Sequence, residues 1–160
     1  MSRTFRNRIW AAAGVAAVVL LLLNWKIAED IHLEAVAFGY EPQGSGGRPV
    51  ETRLTGSYDP DKKQFRGSWT IGTTEFPHVL FTNGLSAIAY RDKERIPLGN
   101  FIFEPDSGRY VITLTNPDLI RSLFPGEQAP TQLRLAAPAQ NRQEAEAVYQ
   151  DLNSDPAASR

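Results

Sequence analysis

An uncharged stretch of fifteen residues at positions 9–23 is the feature that most restricts how this chain can fold. It reads IWAAAGVAAVVLLLL and follows Arg3, Arg6 and Arg8, with no acidic residue before it. Extended to residue 27, a helix of this segment spans about 28 Å, close to the ~30 Å hydrocarbon thickness of a bilayer. The sequence therefore predicts a transmembrane helix over residues 9–27, with the lipid bilayer as its partner.

The orientation of this helix follows from the arginines that precede it. Basic residues beside a hydrophobic segment remain in the cytoplasm, so residues 1–8 are predicted to be a short cytoplasmic segment and the rest of the chain to be extracytoplasmic. A cleaved signal peptide and a buried core helix are the alternatives. Signal-peptide cleavage needs small residues just past the apolar core, and Asn24, Trp25 and Lys26 are bulky. An uncleaved signal anchor in the cell membrane is therefore favoured.

Composition excludes several classes of site. The chain of 160 residues has no cysteine, so disulfides, cysteine–zinc sites and thiol nucleophiles are impossible. His32 and His78 are the only histidines, too few for a three-histidine metal site within one chain. A net charge of −1 gives no basic surplus for nucleic acid. We expect no cofactor, no metal and no nucleic-acid partner.

Short alternating segments separated by turn residues fill the rest of the chain, a pattern typical of an antiparallel all-β domain. The predicted fold is mainly β: the transmembrane helix, then a curved antiparallel meander of seven or eight strands, then a C-terminal amphipathic helix. A sandwich and a small barrel fit the pattern, and one strongly curved sheet with the helix on it or at its edge is favoured. The exported domain is predicted over residues 31–152, with a flexible loop at 41–49 and a disordered tail at 153–160.

The first predicted strand covers residues 31–38, although its spacing also fits a continuation of the anchor helix. The other strands are predicted at 50–58, 65–72, 76–82, 85–91, 97–103, 109–115 and 131–136. Asn116 and Pro117 suit the cap and first position of a short helix at 117–124. A second helix is predicted at 141–152, with one apolar face made of Ala145, Val148, Tyr149 and Leu152.

The strands at 50–58 and 65–72 have a predicted register. Matching their apolar faces pairs Tyr58 with Phe65, Gly56 with Gly67, and Leu54 with Trp69. The opposed glycines leave room for aromatic rings to lie across the sheet.

Two later turns are also predicted from local chemistry. Asn83-Gly84 lies between two apolar segments and predicts a hairpin with a type I′ turn, which needs positive φ at both central residues. Residues 92–95 are predicted to form a charged turn.

No residue pattern indicates catalysis. No serine lies in a nucleophile-elbow motif, and no catalytic residue is assigned. The aromatic residues of the strands are expected to be mostly core. Tyr58, Phe65 and Trp69 are the candidate interaction surface if their face is exposed.

These observations favour a non-catalytic, membrane-anchored extracytoplasmic domain that binds another envelope protein or scaffolds an assembly. Such a domain would show an exposed apolar patch or an open sheet edge, and no deep polar pocket. One alternative is a module for a lipid or glycan, with a pocket lined by the strand aromatics. A small hydrolase that uses loop acids is the second alternative. The absence of cysteine and of Asn-x-Ser/Thr sequons fits a bacterial exported protein.

Overall fold

The structure, a computed structural model, describes residues 28–125 and 130–154, so the predicted anchor at 9–27 lies outside the described residues. Within those two ranges, no helix is both long and apolar enough to cross a membrane. The strands are β1 (Glu29–Tyr40), β2 (Gly47–Asp59), β3 (Gln64–Ile71), β4 (Thr74–Thr82), β5 (Ser86–Arg91), β6 (Glu94–Glu104), β7 (Arg109–Leu114) and β8 (Leu133–Ala137). The helices are α1 (Pro117–Leu123) and α2 (Arg142–Ser154).

The eight strands form a closed antiparallel barrel in which each strand pairs with the next along the chain. The barrel closes because β8 pairs with β1, with Phe38 opposite Ala136 and Tyr40 opposite Arg134. The mainly β fold and the C-terminal helix are confirmed. The structure is the barrel, so the favoured single curved sheet is wrong, because the pairing of β8 with β1 closes the sheet on itself.

Strand β1 confirms the alternation predicted for residues 31–38 and excludes a helix there. Ile31, Leu33 and Ala37 face the interior, whereas His32 and Glu34 are exposed. The predicted register of the next two strands is also confirmed, with Tyr58 opposite Phe65, Gly56 opposite Gly67, and Leu54 opposite Trp69.

The strands are strongly staggered around the barrel. Successive paired residues lead from Glu29 through Tyr58, Phe65, Phe81, Ala87, Gly99, Leu114 and Leu133 back to β1, just past Tyr40. A large stagger tilts the strands steeply against the barrel axis. As a consequence, β8 pairs only with the last three residues of β1, and the first half of β1 has β2 on one side only.

Helix α1 packs its apolar side chains into one end of the barrel, called here the helix end. Asn116 caps the helix by accepting a hydrogen bond from the Leu119 backbone N–H at 3.0 Å, and Pro117 opens it, as predicted. Leu119, Ile120 and Leu123 are buried in the barrel core. The opposite end, where the chain enters at Glu29, is called the entry end.

Helix α2 packs on the outer wall of the barrel. Ala145, Val148 and Leu152 are buried against Val111 and Ala136, which confirms the predicted apolar face. Arg134 lies 3.5 Å from the centre of the Tyr149 ring and holds the helix to the wall by a cation–π contact. The helix runs to Ser154, so the first two residues of the predicted disordered tail are helical.

Several predicted boundaries are wrong by a few residues. Strand β2 begins at Gly47, which shortens the predicted loop at 41–49. The predicted charged turn at 92–95 is only two residues long, because Asp92 and Lys93 both have positive φ and Glu94 already pairs with Arg91. This is the backbone of a type I′ turn, formed here without glycine.

The predicted type I′ turn at Asn83-Gly84 is wrong. Only Gly84 has a positive φ, at 73°, as in a type II turn. The reason is tertiary: the Asn83 side-chain amide donates to the Phe103 carbonyl and accepts from the Phe103 N–H, both at 2.8 Å. Asn83 therefore joins the β4–β5 turn to the part of β6 that lies beyond the start of β5.

Removing this amide by Asn83→Ala is expected to lower the free energy of unfolding by about 2–3 kcal/mol, because a buried N–H and a buried carbonyl lose their partners. The matched control is Asn100→Ala, since Asn100 is exposed on the same strand as Phe103. Urea unfolding of both variants checks the difference. Equal midpoints would mean that the Asn83 bonds do not stabilise the barrel.

Candidate functional site

The structure places all three residues of the candidate aromatic surface inside the barrel. Phe65 and Trp69 are fully buried, and Tyr58 is 5% exposed. Trp69 stacks on Phe76 with ring centres 5.6 Å apart, and Tyr58 meets Phe103 edge to face at 5.4 Å. These rings therefore pack the core, and they do not form an exposed platform on the described barrel.

A small cluster of polar side-chain groups lies among the interior rings. The buried hydroxyl of Tyr110 donates to the hydroxyl of Thr52, which in turn donates to the Ala35 carbonyl at 3.0 Å. The indole N–H of Trp69 lies close enough to the Tyr110 hydroxyl to lower its pKa, although the two groups do not form a hydrogen bond. Burial raises the pKa of Tyr110 to about 12, and the contacts with Thr52 and Trp69 oppose that rise only partly.

This pKa predicts a loss of stability in alkali. A tyrosine of the unfolded chain titrates near pH 10, so the folded barrel holds the Tyr110 proton more tightly. The resulting stabilisation is present below pH ~10 and is lost as the pH rises towards the folded pKa of about 12. Urea midpoints of Tyr110→Phe should fall less steeply over this range. They should still fall somewhat, because burial also raises the pKa of Tyr58. If the urea midpoints of the natural chain and of Tyr110→Phe fell in parallel with pH, the raised pKa of Tyr110 would not explain the loss of stability.

Three grooves lie on the surface of the described barrel. One, of about 330 Å³, opens at the helix end between α1 and the barrel, over Phe76, Leu98 and Leu119. A second, of about 450 Å³, crosses the outer wall beside Arg66, His78 and Tyr90. The third, of about 420 Å³, crosses the outer wall of β1, β2 and β3, and Glu34, Val36, Glu51, Arg53 and Thr70 contribute to its lining.

Residues 28–125 and 130–154 contain no group of three or more His, Asp or Glu side chains arranged to hold an ion. The two histidines lie apart, with His32 on β1 and His78 on β4.

The backbone of β1 from Asp30 to Glu34 forms an open sheet edge, called here the β1 edge. The Val36 carbonyl points to the β8 side of β1, where it accepts from the Ala139 N–H at 2.9 Å. Because the backbone groups of alternate residues point to the same side of a strand, those of Asp30, His32 and Glu34 also point there. No backbone group in the described ranges pairs with them on that side.

The side chains of the β1 edge form two rows of different chemistry. The inner row, Ile31, Leu33 and Ala35, is partly buried and packs against the barrel core. The outer row, Asp30, His32 and Glu34, is exposed.

The outer row is acidic but not free of internal contacts. The Arg53 guanidinium lies 2.7 Å from Glu34, and the His32 ring contacts both Glu34 at 3.7 Å and Thr55 at 3.2 Å. Asp30 has no ion pair with another described residue. The β1 edge therefore offers backbone donors and acceptors, a narrow apolar strip and a net negative charge.

Sequence reasoning placed β1 correctly but did not identify its edge as a site. The alternation of residues 31–38 shows which side chains face inward. Nothing in the local sequence shows how far β8 extends beside them. The edge exists because β8 has five residues and β1 has twelve.

No family model, no curated protein and no solved structure matches this chain.

Proposed function

We propose that this protein is a non-catalytic, single-pass membrane protein whose barrel lies on the extracytoplasmic side and binds another envelope protein. The observation that carries the proposal is the unpaired β1 edge. Open sheet edges are places where another chain adds a strand.

The filled interior of the barrel also supports binding on the outside. Phe81 contacts both Trp69 and Phe101, with ring centres 5.7 Å and 4.8 Å apart. Rings packed at these separations occupy the volume that an enclosed ligand would need.

The membrane part of the proposal rests on the sequence. Arg3, Arg6 and Arg8 precede the uncharged residues 9–23, and β1 begins at Glu29, two residues after the end of the predicted anchor. The entry end would then face the bilayer, and the helix end would point away from it. The β1 edge would lie close to the membrane surface.

Cysteine labelling tests this topology, because the natural chain has no thiol. Leu85→Cys places one thiol at the entry end, where Leu85 is 67% exposed. Ser2→Cys places one ahead of the predicted anchor. A membrane-impermeant maleimide added to spheroplasts should label the Leu85→Cys protein, and should label the Ser2→Cys protein only after lysis. The reverse pattern, or a chain recovered in the soluble fraction, would contradict the proposed anchor.

The groove at the helix end favours the second candidate function, a ligand-binding module. Its floor contains Phe76, Ile96 and Leu98, and Arg91 and Asp118 lie at its rim. The Arg91 guanidinium can bind the carboxylate of a small amphipathic acid whose apolar part lies on the floor, and Asp118 is already paired with Arg121. Titration with a short fatty acid tests it: saturable binding that Arg91→Gln weakens would support this alternative.

A further inference from the structure

We propose that the β1 edge binds an extended segment of a second protein in which basic and apolar residues alternate. The first argument is the backbone. Asp30, His32 and Glu34 present N–H and C=O groups at every second residue on the open side, a repeat of about 6.4–6.8 Å. A partner in the same extended conformation offers complementary groups at this repeat.

The inner row of the edge requires apolar residues in the partner. Ile31 and Leu33 are only partly buried, although both pack against the core. A strand that adds beside β1 places every second side chain on the interior side, next to these two residues. Apolar side chains at those positions complete their burial.

The outer row requires basic residues at the other positions. Asp30 and Glu34 lie on the exposed face of β1, and Arg53 neutralises only Glu34. Opposite charges across neighbouring strands stabilise the pairing. Lysine or arginine at alternate positions of the partner therefore matches this face.

The same charges disfavour a second copy of this chain as the occupant of the β1 edge. Antiparallel pairing of two β1 edges about His32 places Asp30 of one copy opposite Glu34 of the other. Like charges directly opposite each other destabilise paired strands, and each such juxtaposition holds two carboxylates against a single Arg53 guanidinium. A basic partner avoids this repulsion.

The expected position of the partner rests on the proposed function. If the anchor ends at residue 27, Glu34 lies within about 25 Å of the bilayer, given the rise of a strand. The partner segment is then the part of an envelope protein closest to the membrane. The chemistry of the edge is independent of this step, so binding can be tested apart from topology.

The direct test uses the full-length chain in detergent and a capped synthetic peptide of alternating lysine and valine. Hydrogen exchange should show the amides of Asp30, His32 and Glu34 unprotected alone and protected with the peptide. A matched peptide with glutamate in place of lysine should bind at least about 10-fold more weakly, because its charges oppose the outer row.

Two variants measure separately how the backbone and the charges of the β1 edge contribute to peptide binding. His32→Pro removes an N–H on the open side without breaking a bond to β2, since proline is tolerated on edge strands. It should weaken peptide binding about 10-fold, equivalent to about 1.4 kcal/mol. Asp30→Asn with Glu34→Gln should weaken it by about 5- to 10-fold and reduce its salt dependence. Asp92→Asn with Glu94→Gln makes the same charge change at the helix end and should have no effect.

Each contrary outcome overturns the proposal. Equal binding of the two peptides, or binding that both edge variants leave unchanged, would exclude the β1 edge as the docking site. Edge amides that become exchangeable only when residues 155–160 are deleted would show that the chain's own tail is the occupant. If the chain formed dimers that His32→Pro abolished, the occupant of the β1 edge would be a second copy of this chain. None of these results bears on the cysteine-labelling pattern, so the anchor proposal can stand or fail separately.

Discussion

Replacing Trp69 with alanine is expected to lower the free energy of unfolding by about 3–5 kcal/mol. The indole is fully buried, stacks on Phe76 and meets Phe81 edge to face. Removing it leaves a cavity among rings that are held by the strands around them. A loss of this size removes much of the 5–15 kcal/mol that is typical of a folded domain, so the variant should be largely unfolded at moderate urea concentrations.

Two neighbours on the opposite face of the same strand serve as controls. Arg66 and Ser68 point outward, and alanine at either position should change the free energy of unfolding by no more than about 0.5 kcal/mol. Urea unfolding followed by near-ultraviolet circular dichroism measures all three variants. A Trp69→Ala protein that folds normally but fails to bind a partner would mean that the aromatic residues have a recognition role.

Alanine at Gly56 or Gly67 is expected to lower the free energy of unfolding by about 3 kcal/mol or more, because added atoms in a packed structure force the backbone to move. A Cβ on Gly56 would lie 2.1 Å from the Arg66 carbonyl oxygen and 2.6 Å from the Gly67 Cα. A Cβ on Gly67 would lie 2.1 Å from the Thr55 carbonyl oxygen. Both contacts are with backbone atoms, which cannot rotate away as a side chain can.

Gly46→Ala is the matched control for this pair. A Cβ at Gly46 meets nothing within 4 Å, so this variant should unfold within about 0.5 kcal/mol of the natural chain. The free energy of unfolding of the double variant at positions 56 and 67 should fall by less than the sum of the two single decreases. One displacement of the two strands relieves both clashes. Single variants as stable as Gly46→Ala would contradict the close approach of β2 and β3.

The register of β2 and β3 could be predicted because sidedness alone determines it. Shifting the pairing by one residue would turn the apolar set of one strand to water, so Leu54 and Trp69 had to share a face. The caps of α1 were predictable for a similarly local reason: Asn116 and Pro117 act within one helical turn.

Barrel closure could not be predicted in the same way. It depends on the pairing of Phe38 with Ala136, which are far apart in the chain and carry no mutual signal. The type II turn at Asn83-Gly84 depends likewise on the bonds between Asn83 and Phe103. The β1 edge follows from closure, because only the closed barrel shows where β8 stops. Distant pairings of this kind limit what a single sequence reveals about a site.

Crosslinking in living cells tests the docking of a second protein on the β1 edge most directly. A photoreactive residue at His32 places the probe on the edge, and the same residue at Tyr90 places it on the outer wall of β5, four strands from β1. From position 32 we expect crosslinks to one extended segment of another envelope protein, with basic and apolar residues alternating, and from position 90 we expect none. Crosslinks from position 32 only to this chain's own residues, or equal crosslinking from positions 32 and 90, would contradict docking at the β1 edge.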